Sequence, residues 1–134
     1  MRKVFTVGVF DLLHKGHIEL FRKAKHFGDY LIVAVQDSEV VLRYKPQSQL
    51  LFNTEDRIYM VNSIRYVDKT IIYREVNEIV KNIDFDIFIV GADQNHAGFQ
   101  QAIKWCQENN RQVIILPRTE GISSSILKTL VKNI

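Results

Sequence analysis

Five short runs of apolar residues recur along the chain, and each is rich in valine, isoleucine and aromatic side chains. The runs are nearly continuous in hydrophobic character, which is typical of β-strands that are covered on both faces of a sheet. The predicted strands are residues 3–9, 30–36, 68–74, 86–92 and 111–117.

Amphipathic segments with helical spacing separate these strands. In residues 16–28 the apolar positions, Phe21 among them, recur at helical intervals, and the segment ends at Gly28, a residue suited to a helix C-cap. The second helix is predicted to start with Asn53 or Thr54 as its N-cap. The helical segments after the first are residues 53–65, 75–83, 98–110 and 123–134.

Strands and helices alternate along the chain, which is the pattern of a parallel sheet with helices on both faces. Because crossovers between parallel strands are right-handed, the sequence predicts a Rossmann-like, doubly wound α/β fold with a five-stranded parallel sheet. The length of 134 residues favours one domain spanning 1–134, and the chain contains no internal repeat or linker.

Composition limits both the type of ligand and the cellular location that we expect for the protein. The formal net charge of +3 is too small to indicate nucleic-acid binding by itself, although it suits a small anionic ligand. No stretch approaches the ~18 apolar residues that a membrane helix needs, and the apolar N-terminal run ends at Asp11 without a cleavage site. The single cysteine, Cys106, lies in a helical context as a core thiol. We therefore expect a cytoplasmic protein.

In sheets of this type, ligands bind beyond the carboxyl ends of the strands, at the point where the strand order reverses. The unusual polar chemistry of the chain follows the strands at this same edge. The segments concerned are residues 10–17 (FDLLHKGH), 37–49 (DSEVVLRYKPQSQ), 91–96 (GADQNH) and 117–125 (PRTEGISSS). Their convergence predicts a binding site there.

The sequence HKGH places His14 before a helix and His17 in its first turn, with Gly16 allowing close approach to the backbone. Both imidazoles then lie at a helix N-terminus, which attracts anions, so the motif favours phosphate binding. Two alternatives stay open: a pair of histidines with no function, and a zinc site, which needs more ligands. The possible additional ligands are Asp11, Asp93 and His96.

The segment RTEGISSS forms a second candidate anion site. Arg118 carries a planar guanidinium suited to phosphate oxygens, and Thr119 with three serines adds hydroxyls at the start of the last helix. Helix capping is the alternative explanation, but one serine suffices for a cap. The three serines are Ser123, Ser124 and Ser125.

Other charged residues near the strand ends are candidates with structural alternatives. Lys45 lies in a polar stretch predicted as a long loop, where it can be solvated or fold over phosphates. Asp93, which follows Gly91, can bind Mg²⁺ or a nucleotide amine or hydroxyl. Arg65 and Asp68 can form a structural pair or contribute to the site.

Several enzyme classes lack their motifs in this chain. Neither GxGxxG nor the P-loop pattern occurs, which disfavours a dinucleotide-binding protein or a P-loop NTPase. No Ser-His-Asp or Cys-His arrangement is visible, since Cys106 lies in a helix away from the predicted site edge.

The motifs GVFDLLHKGH and RTEGISSS resemble those of the cytidylyltransferase family in the HxGH nucleotidylyltransferase superfamily. Within that family the chain closely resembles the bacterial glycerol-3-phosphate cytidylyltransferases, and the resemblance extends over essentially the whole chain, including GDYLIVAV and IRYVD. It departs at residues 41–53, where the family has more lysines, and at residues 91–110, which carry the additional His96.

The resemblance implies a role for each matching residue. Those implied in catalysis are His14, His17, Lys45 and Arg118. Those implied in nucleotide binding are Gly8, Val9, Phe10, Asp11, Gly16, Arg65, Asp68, Gly91, Asp93, Thr119, Gly121, Ile122, Ser123 and Ser124. The candidates for acceptor binding are Lys45, Gln94, Asn95 and His96, of which Lys45 would bridge the phosphates of both substrates.

The implied reaction is transfer of CMP from CTP to a small phosphorylated acceptor with release of pyrophosphate. Mg²⁺ is expected to be held mainly by the CTP phosphates rather than at a fixed protein site, and the family implies a homodimer. The acceptor stays open: glycerol phosphate, another polyol phosphate, a phosphonate, or an amino-acid-derived phosphate or phosphoramidate. Such CDP-linked products feed wall, capsule or lipid synthesis. An ATP-dependent adenylyltransferase acting on a flavin phosphate and a nucleotide sensor without turnover are the rivals.

Overall fold

The computed structural model describes residues 1–47, 49–117 and 128–130. All five predicted strands are present, and their bounds differ from the predicted ones by one residue or less at either end. They are β1 (Lys3–Gly8), β2 (Tyr30–Gln36), β3 (Lys69–Tyr73), β4 (Ile87–Gly91) and β5 (Gln112–Leu116). The continuous apolar runs therefore marked strands, because every central strand is buried on both faces.

The strands form one parallel sheet in the order β3-β2-β1-β4-β5. Val4 of β1 pairs with Leu31 of β2 on one side and with Ile87 of β4 on the other. The chain winds outward from β1 in both directions, so the strand order reverses between β1 and β4. This confirms the predicted Rossmann-like α/β fold and places the expected ligand crevice between the ends of these two strands.

Two buried clusters, one on each face of the sheet, hold the helices in place. Phe21, Ala24 and Val61 pack on one face, and Val76 and Phe99 pack on the other. The helices are α1 (Lys15–Lys25), α2 (Ser38–Tyr44), α3 (Thr54–Asn62), α4 (Val76–Ile79) and α5 (Ala97–Glu108). Among the described residues, no helix is long and apolar enough to cross a membrane.

Two helix predictions need correction, and a third lies mostly outside the described residues. The segment after β2, expected to be a loop, contains α2, because Asp37 caps it and Val40 and Val41 are buried. Helix α4 has only four residues, where a helix over 75–83 was predicted. Most of the predicted helix 123–134 lies outside the described residues, of which 128–130 are helical. Asn53 is confirmed as the N-cap of α3.

Gly28 does not cap α1 as expected, since the C-cap is His26 in an ordinary right-handed helical conformation. Instead, Gly28 lies against the N-terminal strand segment. A Cβ atom at this position would lie 2.6 Å from the carbonyl oxygen of Arg2 and 2.8 Å from Cγ2 of Val4. Close contact with the backbone, rather than helix termination, therefore requires glycine here.

Cys106 is fully buried in α5, as the sequence predicted. Burial raises the pKa of its thiol to about 11, and nearby Arg111 offsets this only in part. A thiol with such a pKa is not a nucleophile at neutral pH, so Cys106 contributes to packing.

Candidate active site

The turn that follows β1 is shaped by a contact between Gly8 and Phe10. Phe10 is buried and adopts a left-handed backbone conformation, with φ of 53°, which is unusual for a residue other than glycine. A Cβ atom on Gly8 would lie 2.6 Å from Cζ of the Phe10 ring. The ring also meets His17 edge-on, with centroids 5.4 Å apart. The turn thus brings the chain into α1 and supports one histidine.

His14 and His17 form a reciprocal cap at the start of α1. His14 is the N-cap, and its Nδ1 accepts a hydrogen bond from the Gly16 amide at 3.0 Å. Nδ1 of His17 accepts from the His14 amide at 3.4 Å, and the two rings stack with centroids 3.9 Å apart. Because both Nδ1 atoms accept, each neutral ring carries its proton on Nε2. The caps therefore orient two N–H donors at a helix N-terminus.

Asp11 lies in this turn and is only 3% exposed. Its carboxylate accepts hydrogen bonds from the amides of Leu51 and Phe52, with distances from 2.8 to 3.0 Å, and pairs with Lys128 at 2.5 Å. Burial would raise the pKa of Asp11, but the bonds from Lys128, Leu51 and Phe52 outweigh it and lower the pKa. Asp11 thus stays ionised at neutral pH and joins three separate segments.

We expect the stability of the fold to depend on Asp11 at acid pH. Because its folded-state pKa lies below the ordinary value of 3.8, the ionised carboxylate stabilises the folded state above that pH. This contribution is lost as the pH falls through the lowered folded-state pKa. The melting temperatures of the wild type and Asp11→Asn should therefore differ fully above about pH 5, and the difference should shrink as the pH falls below 3.8 through the lowered folded-state pKa. A difference that stays constant over this range would contradict the assignment.

Arg57 of α3 is the principal site-edge residue that the sequence interpretation missed. Its side chain is fully buried. The guanidinium donates to the carbonyls of Val9 and Gln36 at 2.9 and 2.8 Å, and to Phe52 O at 3.1 Å. Burial lowers its pKa, and the nearby carboxylates of Asp11 and Asp37 act in the opposite direction. Its position four residues before Val61, on the apolar stripe of α3, was the signal that could have found it.

Gln94 bridges the two strands between which the strand order reverses. Its Oε1 accepts from the Gly91 amide at 2.8 Å, and its Nε2 donates to the Val7 carbonyl at 2.9 Å. The side chain predicted to contact an acceptor therefore joins the ends of β4 and β1. Next to it, His96 caps α5, with Nδ1 accepting from the Gly98 amide at 3.1 Å.

The other predicted residues lie in different places. Lys45 is the exposed C-cap of α2, beyond the carboxyl end of β2, so it stays a candidate for the site. Asp93 lies at the end of β4, within 3.1 Å of a Cβ built on Gly91. The residues of the motif RTEGISSS lie outside the described residues, so their roles stay predictions. They are Arg118, Thr119, Gly121, Ile122, Ser123 and Ser124.

Arg65 and Asp68, which the resemblance implies in nucleotide binding, lie away from the histidines within one chain. They precede β3, at the amino edge of the sheet, whereas His14 lies at the carboxyl edge. Asp68 accepts from Lys25 and from the Leu31 amide, and Arg65 donates to the hydroxyl of Tyr66. Within one chain, the structure does not bring this pair to the histidines, and the two residues do not pair with each other.

The arrangement suits an anionic ligand that carries phosphate. Two oriented imidazole donors lie at the N-terminus of an eleven-residue helix, whose backbone dipole also favours negative charge. Within residues 1–47, 49–117 and 128–130, no three His, Cys, Asp or Glu side chains lie close enough together to hold a metal ion. The described part of the chain therefore contains no group of side chains that could serve as the zinc ligands of the alternative interpretation.

Known proteins with similar sequences indicate the family of this chain. Residues 5–130 match the family model described as cytidylyltransferase-like. The glycerol-3-phosphate cytidylyltransferase of Bacillus subtilis is 38% identical over 131 residues, which cover 96% of this chain and 95% of that enzyme. The FAD synthase of Picrophilus torridus is 33% identical over 97% of this chain and 96% of its own.

A solved structure supports the fold independently. The lipopolysaccharide core biosynthesis protein of Thermoplasma volcanium superimposes with a TM-score of 0.71 and 26% identity, covering 89% of this chain and 97% of that one. The fold, the histidine pair and the relatives together define a nucleotidyltransferase. The chain belongs to the cytidylyltransferase-like family.

Proposed function

We propose that this protein transfers CMP from CTP to a small phosphorylated acceptor, releasing pyrophosphate and forming a CDP-linked product. The observation that carries the proposal is the pair His14 and His17, whose reciprocal caps orient two Nε2 donors at the start of α1. The relative named glycerol-3-phosphate cytidylyltransferase supports a nucleotide triphosphate and a phosphorylated polyol as the substrates.

In the proposed reaction, an oxygen of the acceptor phosphate attacks the α-phosphorus of CTP in line. The new phosphorus–oxygen bond forms as the bond to pyrophosphate breaks, and the leaving group takes the electron pair. The attacking oxygen is already anionic, so no general base is needed. Catalysis then depends on positioning and on neutralising charge. His14 and His17 donate hydrogen bonds to phosphate oxygens as charge shifts toward the leaving group.

Further groups complete the proposed site. Arg118 would add positive charge at the phosphates, and Lys45 would lie between the two substrates. Mg²⁺ would be held mainly by the CTP phosphates and would neutralise charge on the departing pyrophosphate. We place the acceptor near Lys45, Asn95 and His96, with glycerol phosphate as the first candidate and other polyol phosphates, phosphonates and phosphoramidates as alternatives. A homodimer in the cytoplasm, supplying precursors of surface polymers, capsule or lipid, is part of the proposal.

Adenylyl transfer is the second candidate. The 33% identity with an FAD synthase over nearly the whole chain favours it specifically, because that relative is similar to this chain over the same span as the cytidylyltransferase. In this case ATP would be the donor and a flavin phosphate the acceptor.

Pyrophosphate release discriminates between the two reactions. The purified protein is incubated with Mg²⁺ and either CTP or ATP, and with either glycerol 3-phosphate or FMN as acceptor. We expect release with CTP and a phosphorylated polyol, well above the rate without acceptor. Release only with ATP and FMN would replace the proposal with the second candidate. CTP binding without product, over a panel of phosphorylated acceptors, would instead favour a sensor.

A further inference from the structure

Residues 49–53, here named the 49–53 strap, are the last part of the connection between α2 and α3 and lead into α3 at the carboxyl edge of the sheet. The exposed side of the strap carries Gln49 and Leu51, the latter with 53% of its surface accessible. The backbone of the strap, by contrast, forms hydrogen bonds with the buried charged side chains of Asp11 and Arg57. The strap is therefore held by its peptide groups and not by a hydrophobic side-chain anchor at Leu51.

Asp11 and Arg57 hold the same residue of the strap from opposite sides. The Phe52 amide donates to Asp11 at 3.0 Å, and the Phe52 carbonyl accepts from Arg57 at 3.1 Å. The Leu51 amide reaches both carboxylate oxygens of Asp11. Lys128 adds a further link, because its ammonium pairs with Asp11 and donates to the Gln49 carbonyl at 3.1 Å.

The same two charges also fix the turn that leads to the histidines. Asp11 belongs to this turn, three residues before His14. Arg57 donates to the Val9 carbonyl, and it reaches the end of β2 through the Gln36 carbonyl and the start of α2 through Ser38 Oγ at 2.6 Å. A shift of the strap would therefore pull on the turn between β1 and α1, and a shift of that turn would pull on the strap.

We propose that Asp11 and Arg57 are positioning residues for the transfer step, which set the register between the strap and the histidine pair. This inference rests on the proposed function, since it assigns the strap to the acceptor side of the same site. Lys45 precedes the strap in the chain, and the strap in turn is bonded to the turn that leads to the histidine pair. Neither Asp11 nor Arg57 needs to touch a substrate for this effect.

The expected kinetic signature follows from this geometry. Two hydrogen bonds that orient the histidines come from the Gly16 and His14 amides, which neither Asp11 nor Arg57 contacts, so we expect CTP still to bind when the strap shifts. The reacting oxygen and phosphorus must meet in line, and a displacement of about 1 Å can lower a rate by ~10²-fold. Loss of the strap register should therefore lower kcat much more than it raises the KM for CTP.

Two conservative variants test the proposal. Arg57→Lys keeps the charge but cannot reach all the acceptors that the guanidinium spans, and Asp11→Asn keeps the shape but loses the charge and one acceptor oxygen. Matched controls make the same changes elsewhere: Arg22→Lys, in an ion pair with Glu19 on α1, and Asp84→Asn, in a pair with Lys3. Steady-state kinetics use CTP and glycerol 3-phosphate, well below the melting temperature of every variant.

We expect both site variants to lose at least ~10-fold in kcat with less than ~3-fold change in the KM for CTP, and the controls to keep wild-type values. Hydrogen exchange at the Leu51 and Phe52 amides should accelerate in both site variants, while the central strands keep their protection. Wild-type kcat in folded Arg57→Lys, or a loss confined to the KM for CTP, overturns the inference.

Failure of the proposed function gives a different result. If the wild type itself releases no pyrophosphate from CTP with any acceptor tested, the proposed reaction is wrong. The positioning inference is then overturned with it, because the step that it assigns to the strap does not occur. A wild type that turns over, with site variants that match it, overturns the positioning inference alone.

Discussion

Replacing His14 or His17 with alanine is expected to lower kcat by at least ~10²-fold, the usual effect of removing one preorganised donor from a site that stabilises developing charge. Each ring offers an Nε2 donor, and the cap that fixes its direction belongs to the same residue pair. Steady-state pyrophosphate release with CTP measures this effect. Near-wild-type turnover in both variants would remove the histidines from the mechanism.

His14 also caps α1, so a stability effect has to be separated from a catalytic one. Loss of an N-cap side chain typically costs ~1 kcal/mol of stability. His14→Asn is the matched control, because asparagine is a good N-cap but carries no imidazole. We expect His14→Asn to melt close to the wild type and to be as slow as His14→Ala. Recovery of turnover in His14→Asn would show that capping alone matters.

Replacing Arg57 with methionine is expected to lower the free energy of unfolding by about 3–5 kcal/mol, as is typical when one partner is removed from a buried charged network. Methionine fills a similar volume, so loss of packing is a small part of the effect. The variant leaves the carbonyls of Val9, Gln36 and Phe52 without their donor. The buried carbonyls left without a hydrogen-bond donor account for most of this loss in the free energy of unfolding.

Chemical denaturation monitored by circular dichroism measures this change. Arg22→Met is the control, since Arg22 pairs with Glu19 at a partly exposed position of α1 and such pairs contribute at most about 1 kcal/mol. If Arg57→Met and Arg22→Met unfold at the same denaturant concentration, Arg57 is not a central link of the fold.

The fold was predictable because its signals are local. A strand buried on both faces must be apolar at nearly every position, so β1, β2 and β4 stood out from the chain without any knowledge of their neighbours. The start of α1 was equally predictable, because HKGH places one histidine before the helix and the other in its first turn. The helix start and its histidines followed directly.

The missed features have different physical causes. Helix α2 was taken for a loop because it is short and charged, and only two valines bury it against the rest of the fold. Gly28 was taken for a cap because its contact with Arg2 joins segments that are distant in sequence. Asp68, predicted to bind the nucleotide, contacts Lys25 and Leu31 at the amino edge of the sheet, a placement that depends on residues distant in sequence.

By itself, the sequence determined the alternation of strands and helices, the single parallel sheet and the HKGH motif that follows the first strand. Each depends on side-chain periodicity or on neighbours within one helical turn. Only the tertiary structure showed that Asp11 and Arg57 form hydrogen bonds with the amide and the carbonyl of Phe52, and that Gln94 joins the ends of β1 and β4. Those bonds end on backbone atoms, which every residue carries, so the identity of the bonded residue leaves no trace in the sequence.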